Sequence, residues 1–329
     1  MNKPFFRLMP VLFTVWFTPA ALLAGTSTPG GFDSPPVKIE GAQKFIYKKV
    51  DGFELPVFIF TPPSREYGGK KRGAVVFFNG SGWMAGSVRQ FETQARLLSE
   101  HGLVTALVEY RVKKHYNATP FDGLSDAKSV LRWLRAGASR FGVDPYKIAA
   151  IGASAGGHLA LAAAMFPDAF NSSTDDLSLS PAPDALVLFS TVVDVSPAGY
   201  NDGDGLRLFM GREATVSPML HVREGLPPVL LLHGTADRWI PPASVARFAA
   251  LMREHGNDCS LIPFQGRSHH FYNSPAYLQA RPQLKSDTSD MDFILSFYLM
   301  ERFLHEQGIL ERRPVIMQPG QPRGQEISD

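Results

Sequence analysis

The chain of 329 residues contains 33 lysines and arginines against 31 aspartates and glutamates, which gives a formal net charge of +2. Its 44% hydrophobic and 19% charged residues are typical of a folded globular protein and exclude a disordered or fibrous chain. No cluster of lysine and arginine is dense enough for a nucleic-acid footprint, so we expect no nucleic-acid partner.

The N-terminus has the order of regions found in a secretory signal peptide. Lys3 and Arg7 supply positive charge, an apolar run LMPVLFTVWF follows, and small residues come next in TPAALLAG. The apolar run is short for a membrane span, so we predict a signal peptide over residues 1–24, cleaved near Ala24. Export to the periplasm or the medium is then expected, with no stable membrane span after cleavage; an uncleaved membrane anchor is the alternative.

Cys259 is the only cysteine, so no internal disulfide can form and the core must hold an exported chain together. It lies in CSLIPF, a predicted strand, and we interpret it as a packing residue rather than a nucleophile. Residues 25–43 form a predicted N-terminal extension. Residues 309–329, rich in proline, glycine and glutamine, are predicted to be a flexible tail.

The predicted elements begin with a hairpin and then alternate between strands and helices. The hairpin pairs KFIYKKV with LPVFIFTPP across DGFE, and the later strands are AVVFFNG, LVTALVEYRV, KIAAIGAS, ALVLFST, PPVLLLHGTAD and SLIPFQG. The predicted helices are QFETQARLLSEHG, Asp126 to Phe141, GGHLALAAAM, Ser244 to His255 and Met291 to His305.

Strands that are apolar throughout and alternate with helices are typical of a mostly parallel sheet with helices on both faces. We therefore predict one α/β domain over residues 44–308. In such sheets, ligands bind beyond the C-terminal ends of the strands. Functional side chains are therefore expected in the segments that directly follow each strand.

One of these segments places a serine between a strand and a helix. The strand KIAAI continues into Gly152-Ala153-Ser154-Ala155-Gly156 and then into the next helix. A G-x-S-x-G turn in this context exposes the serine oxygen above the sheet, and small neighbours permit the tight backbone. The N-terminus of the helix favours a developing anion there. We interpret Ser154 as a nucleophile, with a simple turn residue as the alternative.

A serine hydroxyl needs a base to accept its proton and a carboxylate to orient that base. Asp237 follows the strand VLLLH and His269 follows LIPF, so the order along the chain is serine, aspartate, histidine. Asp194 is the rival carboxylate, and helix capping is the other role open to Asp237. The pair His269-His270 does not indicate a metal site, because adjacent side chains in a strand point apart and no further ligands have suitable spacing.

From about residue 44 to 306, the chain resembles α/β-hydrolase serine esterases. It is most similar to secreted carbohydrate-esterase and acetylesterase-like members and to hormone-sensitive-lipase-like enzymes. The resemblance is carried by FFNGSGWMAGS, VEYRV, DAKSVLRWLR, GASAGGHLA, HGTADRWIP and GRSHHF. It implies that Ser154 is the nucleophile, Asp237 the orienting acid and His269 the base, since the family pattern Gly-x-x-His-x-Phe selects His269 over His270.

The same resemblance implies an oxyanion hole made of backbone amides. Ala155 would supply one amide, and the loop after AVVFF would supply the other, with Ser81 and Gly82 as candidates. The family loop reads His-Gly-Gly-Gly, whereas this chain has Asn79 at the first position and Ser81 at the third. Whether Ser81, Gly82 or Trp83 supplies the second donor stays open.

Several aromatic and histidine residues near these segments have two possible roles. Trp83, Tyr110 and His270 are candidates for the substrate pocket; packing is the alternative for Trp83, and support of the loop is the alternative for Tyr110. His158 and His233 are interpreted as structural residues.

Together these features predict an exported serine carboxylic-ester hydrolase that forms an acyl-enzyme and needs no metal or cofactor. The resemblance implies short acyl esters, acetyl esters above all, of a small molecule or a polysaccharide. Alternatives are a prolyl-oligopeptidase-like exopeptidase, which normally has a large N-terminal propeller, and a lipase, although residues 200–219 are polar for a large lid. A non-catalytic glycan- or partner-binding relic of the fold is the alternative from a different class. Nothing in the sequence predicts the oligomeric state.

Overall fold

The structure is a computed structural model that describes four ranges of the chain: 37–62, 71–80, 82–284 and 288–314. The predicted signal peptide, Ser81 and residues 315–329 lie outside the described residues. Within the described ranges, no helix combines the length and the apolar character that crossing a bilayer requires.

Within the described residues, one sheet of eight strands organises the fold, in the spatial order β1-β2-β4-β3-β5-β6-β7-β8. The strands are β1 Gln43–Val50, β2 Phe53–Phe60, β3 Arg72–Phe78, β4 Val104–Val108, β5 Val143–Ala153, β6 Ala185–Phe189, β7 Val229–Gly234 and β8 Cys259–Phe264. The predicted hairpin is β1 and β2, which pair antiparallel, and β2 is also antiparallel to β4. From β4 onwards every neighbouring pair is parallel, with β8 at the edge, so the predicted sheet is confirmed.

Helices cover both faces of the sheet. They are α1 Glu92–Glu100, α2 Lys113–Tyr116, α3 Pro120–Ala136, α4 Ala155–Met165, α5 Gly203–Arg207, α6 Pro242–Glu254, α7 Pro275–Gln279 and α8 Asp290–Glu306. One hydrophobic core includes buried side chains of α3, α4 and α6, and the other includes those of α1 and α8. Alternate residues of β3 enter opposite cores, with Val76 in the first and Val75 in the second.

The helix predicted over Asp126 to Phe141 has different bounds in the structure, since α3 begins at Pro120 and ends at Ala136. A capping box causes the early start: the Thr119 hydroxyl accepts a hydrogen bond from the Asp122 amide, and the Asp122 carboxylate accepts one from the Thr119 amide. Pro120 at the first helical position favours the same start. The predicted apolar face is buried as expected: Ala127, Val130, Leu131 and Leu134.

The parallel strands β3, β5, β7 and β8 all point the same way, so the segments after them meet at one edge of the sheet. Those segments carry the residues that the sequence singled out. After α8 the chain continues in contact with the body of the fold, because Ile309 and Leu310 are buried.

Candidate active site

Ser154 lies at a strained turn between β5 and α4. Its backbone angles are φ 52° and ψ −122°, a conformation that residues other than glycine rarely adopt. The turn is held by the Ser154 amide, which donates to the Phe189 carbonyl at 3.0 Å, and by its carbonyl, which accepts from the His158 amide at 3.1 Å. These hydrogen bonds therefore hold the serine in its strained conformation at the N-terminus of α4, where the G-x-S-x-G pattern predicts it.

The glycines around Ser154 are required by close packing. A Cβ atom added to Gly156 would lie 2.2 Å from the Phe78 carbonyl oxygen, and one added to Gly152 would lie 2.5 Å from the Gly156 carbonyl oxygen. A Cβ on Gly157 would lie 2.2 Å from the Thr191 hydroxyl. Helix α4 can therefore reach the ends of β3 and β6 only with glycine at these positions.

Asp237 and His269 form a buried hydrogen-bonded pair. The His269 Nδ1 atom donates to Asp237 Oδ2 at 2.8 Å. The second oxygen, Oδ1, accepts the amides of Trp239 at 2.9 Å and Ile240 at 3.0 Å. Burial by itself raises the pKa of Asp237, but the hydrogen bond and charge of His269 outweigh it and lower the pKa below its ordinary value. The carboxylate is therefore ionised and fixes the orientation of the imidazole.

The segments that carry this pair, which follow β7 and β8, brace each other. The Ala236 amide donates to the Arg267 carbonyl at 2.9 Å, and the Gly266 amide donates to the Thr235 hydroxyl at 2.8 Å. A Cβ on Gly234 would lie 2.2 Å from the Arg267 carbonyl oxygen, so glycine is needed there too. The backbone of two neighbouring strands thus sets the spacing between the acid and the base.

The other carboxylate and the second histidine have different surroundings. Asp194 accepts a hydrogen bond from the Ser217 hydroxyl at 3.4 Å, whereas His269 is bonded to Asp237. The His270 ring lies edge-on to the His269 ring, with 5.1 Å between centroids. Among the described residues, no three His, Cys, Asp or Glu side chains gather in an arrangement that could hold a metal ion.

The segment after β3 that carries the candidate donors, residues 79–83, is called the oxyanion loop, and its Gly80 lies beside the nucleophile. A Cβ on Gly80 would lie 3.3 Å from the Ser154 Cβ atom. Ala155 is the first residue of α4, where a helical amide has no acceptor within the helix, so its N–H is suited to the developing oxyanion. The Gly80 amide donates to the Gln90 side chain at 2.6 Å, and Ser81 lies outside the described residues. Gly82, which has a φ of +58°, and Trp83 remain the described candidates for the second donor.

Two of the proposed pocket residues have structural roles, Tyr110 as a support of this loop and Trp83 as its last residue. The Tyr110 hydroxyl donates to the Asn79 carbonyl at 2.6 Å, which is the loop-supporting arrangement. Trp83 is only 1% exposed, so it acts as a packing residue in this structure. Its ring makes edge contacts with three others: His158, Tyr200 and Phe209.

The two remaining histidines near the site are neutral and hold backbone. Burial lowers the pKa of His158 to about 4, and its Nε2 atom donates to the Val216 carbonyl at 2.8 Å. Burial also lowers the pKa of His233 against the opposing charge of Asp237. The His233 Nε2 atom donates to the Ile240 carbonyl at 3.1 Å, so His233 supports the segment that carries Asp237.

Sequence reasoning missed the segment that covers the oxyanion loop. A Cβ on Gly82 would lie 3.2 Å from the Tyr200 hydroxyl, which itself donates to Asp202 at 3.0 Å. The next amide, that of Asn201, donates to the Trp239 carbonyl at 2.8 Å, so this segment touches both the oxyanion loop and the aspartate segment. Its polar residues were considered only as a lid, because nothing in their local pattern indicates these distant partners.

Comparisons with known proteins place this geometry among esterases. The model of the BD-FAE family matches residues 59–252. A probable isoprenylcysteine alpha-carbonyl methylesterase of Oryza sativa subsp. japonica is 26% identical over 223 residues, covering 61% of this chain and 52% of the relative. The chain spans about half the length of several curated relatives that it matches.

Solved structures of an esterase from Thermogutta terrifontis match over more of the chain. Its propionate-bound form is 37% identical with a TM-score of 0.74, covering 84% of this chain and 98% of that one. The form phosphorylated by paraoxon is 34% identical with a TM-score of 0.74, covering 84% of this chain and 97% of that one.

Proposed function

The chain belongs to the BD-FAE family and is an α/β-hydrolase of the serine-esterase, hormone-sensitive-lipase-like type, and from this premise we propose that it hydrolyses carboxylic esters at Ser154. One observation carries the proposal: a strained serine at the N-terminus of a helix lies at the same C-terminal ends of the parallel strands as a buried, hydrogen-bonded aspartate–histidine pair.

The proposed reaction follows from the tautomer of His269. Because Nδ1 donates to Asp237, the neutral ring has its lone pair on Nε2, which accepts the proton of the Ser154 hydroxyl as its oxygen attacks the ester carbonyl. The amides at the oxyanion hole stabilise the negative oxygen of the tetrahedral intermediate. His269 then returns the proton to the leaving alcohol, and the acyl group stays on Ser154. Water, deprotonated by His269, attacks this acyl-enzyme and releases the acid.

We propose further that the preferred acyl groups are short. The Tyr200 hydroxyl lies against Gly82 of the oxyanion loop, and the Trp83 ring packs edge-on against Tyr200. We expect these bulky side chains to favour small acyl groups beside the loop. The similar Thermogutta terrifontis esterase was solved with propionate bound, which supports a small acyl group.

For the alcohol part, we propose an acetylated glycan outside the cytoplasm. The signal-peptide pattern of residues 1–24 supports export. Trp239 is 48% exposed just beyond Asp237 and offers a flat apolar ring on which a sugar could stack.

Fractionation of cells that express the full chain tests export: the mature protein is expected outside the cytoplasm, and retention with an uncleaved N-terminus would contradict it.

Hydrolysis of p-nitrophenyl esters from acetate to decanoate, by wild type and by Ser154→Ala, tests the reaction. We expect acetate or propionate to react fastest and the variant to lose at least about a thousandfold in kcat/KM. A preference for the longest chains would support a lipase instead. A wild type that is inactive on every ester, or a fully active Ser154→Ala, would overturn the proposal. Release of acetate from acetylated xylan then tests the glycan.

A further inference from the structure

Gln90 is a buried amide side chain placed between two segments of the site. It lies in the short 3-10 turn Val88–Phe91 that leads into α1, and it is only 4% exposed. Burial of a polar side chain costs free energy unless the side chain is hydrogen-bonded, so buried polar groups are nearly always paired. Its partners therefore indicate which structure it holds.

The hydrogen bonds of Gln90 point in two directions. Its Oε1 atom accepts the Gly80 amide of the oxyanion loop at 2.6 Å. Its Nε2 atom donates to the Tyr272 hydroxyl at 3.3 Å and to Asn273 Oδ1 at 3.1 Å. Tyr272 and Asn273 belong to the histidine loop, residues 265–274, which carries His269.

The orientation of this amide group follows from its partners. A backbone N–H can only donate, so the oxygen of Gln90 must face Gly80 and its nitrogen must face Asn273. Only a side chain with one acceptor and one donor can make both bonds. The bond also turns the Gly80 amide towards Gln90, which leaves the oxyanion to the other amides of the loop.

We propose that Gln90 is a positioning residue that ties the oxyanion loop to the histidine loop. The proposal rests on the esterase reaction proposed above. Gly80 lies against Ser154, so a shift of Gly80 moves the oxyanion donors relative to the nucleophile. Gln90 thus fixes the positions of the oxyanion donors and of His269 relative to each other, without touching the substrate. Its loss changes the geometry in the transition state more than it changes substrate binding.

Gln94, one helical turn further on, provides the matched control. It is also buried, and its Nε2 atom donates to the Tyr272 carbonyl at 3.1 Å, but it is not a hydrogen-bond partner of Gly80. Gln90→Met and Gln94→Met remove an amide of the same size from neighbouring positions. A difference between the two variants therefore reports on the tie to the oxyanion loop rather than on general packing.

The test measures kcat and KM for p-nitrophenyl acetate in both variants, together with their Tm. We expect Gln90→Met to lower kcat by about ten- to a hundredfold, with KM nearly unchanged. Gln94→Met should keep kcat close to wild type.

Hydrogen exchange at the Gly80 amide gives a second readout that needs no activity. Gln90→Met should speed this exchange, and Gln94→Met should not. If the wild type does not hydrolyse esters, the proposed function fails while the exchange rates still decide whether the tie exists. Wild-type kcat or unchanged Gly80 exchange in Gln90→Met, or equal losses of kcat in both methionine variants, would overturn the proposal.

Discussion

The two sides of the active site are held in place by different means. On the nucleophile side, glycine and backbone contacts leave no space for any other arrangement, as Gly152 and Gly156 show. On the oxyanion side, the loop is held by side chains from distant segments, with Gln90 and Tyr110 bonded to Gly80 and Asn79. The first kind of order is local and steric, whereas the second depends on individual hydrogen bonds. The nucleophile side should therefore fail by unfolding and the oxyanion side by losing rate.

The largest effect is expected from a substitution that breaks the acid–base pair. It leaves both the close packing around Ser154 and the hydrogen bonds to the oxyanion loop intact. Asp237→Asn keeps an acceptor for the amides of Trp239 and Ile240 but no longer holds His269 in the productive tautomer. We expect kcat to fall by about 10⁴-fold with little change in Tm. Steady-state kinetics and thermal unfolding measure both quantities.

Asp194→Asn is the matched control for that substitution, because Asp194 is bonded to Ser217 and not to His269. Its activity should stay near that of the wild type. A loss in Asp194→Asn as large as that in Asp237→Asn would reverse the assignment of the two carboxylates.

The next effect tests the steric order of the nucleophile side. The methyl group of Gly156→Ala would lie 2.2 Å from the Phe78 carbonyl oxygen, so α4 must move away from β3. We expect a loss of about 3 kcal/mol or more in the free energy of unfolding. Gly203→Ala, where the added atom meets nothing within 4 Å, should leave stability almost unchanged in the same urea titration. Equal stability of the two variants would contradict the steric account.

A third effect is the pH dependence of the free energy of unfolding, which follows from the burial of His158 in α4. His158 has a pKa of about 4 in the folded chain because burial disfavours its charged form. In the unfolded chain its pKa is about 6.5, so the unfolded state binds more protons between these values and stability falls as pH drops through that window. The contribution is on the order of 3 kcal/mol across the window.

Urea unfolding of the wild type and of His158→Gln between pH 7 and pH 4 measures this contribution. The variant is expected to lose less stability on acidification, because glutamine does not titrate. Parallel curves for the two proteins would show that another group causes the acid sensitivity.

The smallest expected effect concerns the oxyanion side. Tyr110→Phe removes the hydroxyl that donates to the Asn79 carbonyl and leaves the ring in place. We expect a loss of about 1 kcal/mol in stability and about tenfold in kcat, since one buried hydrogen bond is removed and the loop can shift. A stability loss with unchanged kcat would mean that the loop keeps its position without this bond.

Much of the fold and half of the site were predictable because their causes are local. The strand ends locate Ser154, Asp237 and His269 without any knowledge of three-dimensional contacts, and the structure joins Asp237 to His269. The start of α3 was missed although its signals, Thr119 with Asp122 three residues later, were present in the sequence.

The contacts of the oxyanion side were not predictable in this way. Gln90 meets Tyr272 and Asn273 across more than 180 residues of chain, and its own segment has no pattern that marks a hydrogen-bonding partner. Tyr200 likewise covers Gly82, a residue far away in the chain, and no local sequence pattern indicates that contact. A single sequence indicates that a buried amide is present, but the fold decides which groups it joins.

The position of β8 at the edge of the sheet has a consequence for how the protein loses activity on heating. His269 follows this strand, which among the described residues pairs with β7 alone, whereas Ser154 follows β5 in the middle of the sheet. Partly buried elements such as β8 open locally at a lower free energy than fully buried ones such as the end of β5. Warmed below its melting point, the chain should therefore lose turnover while most of its ellipticity persists, and cooling should restore the enzyme from this partly opened form.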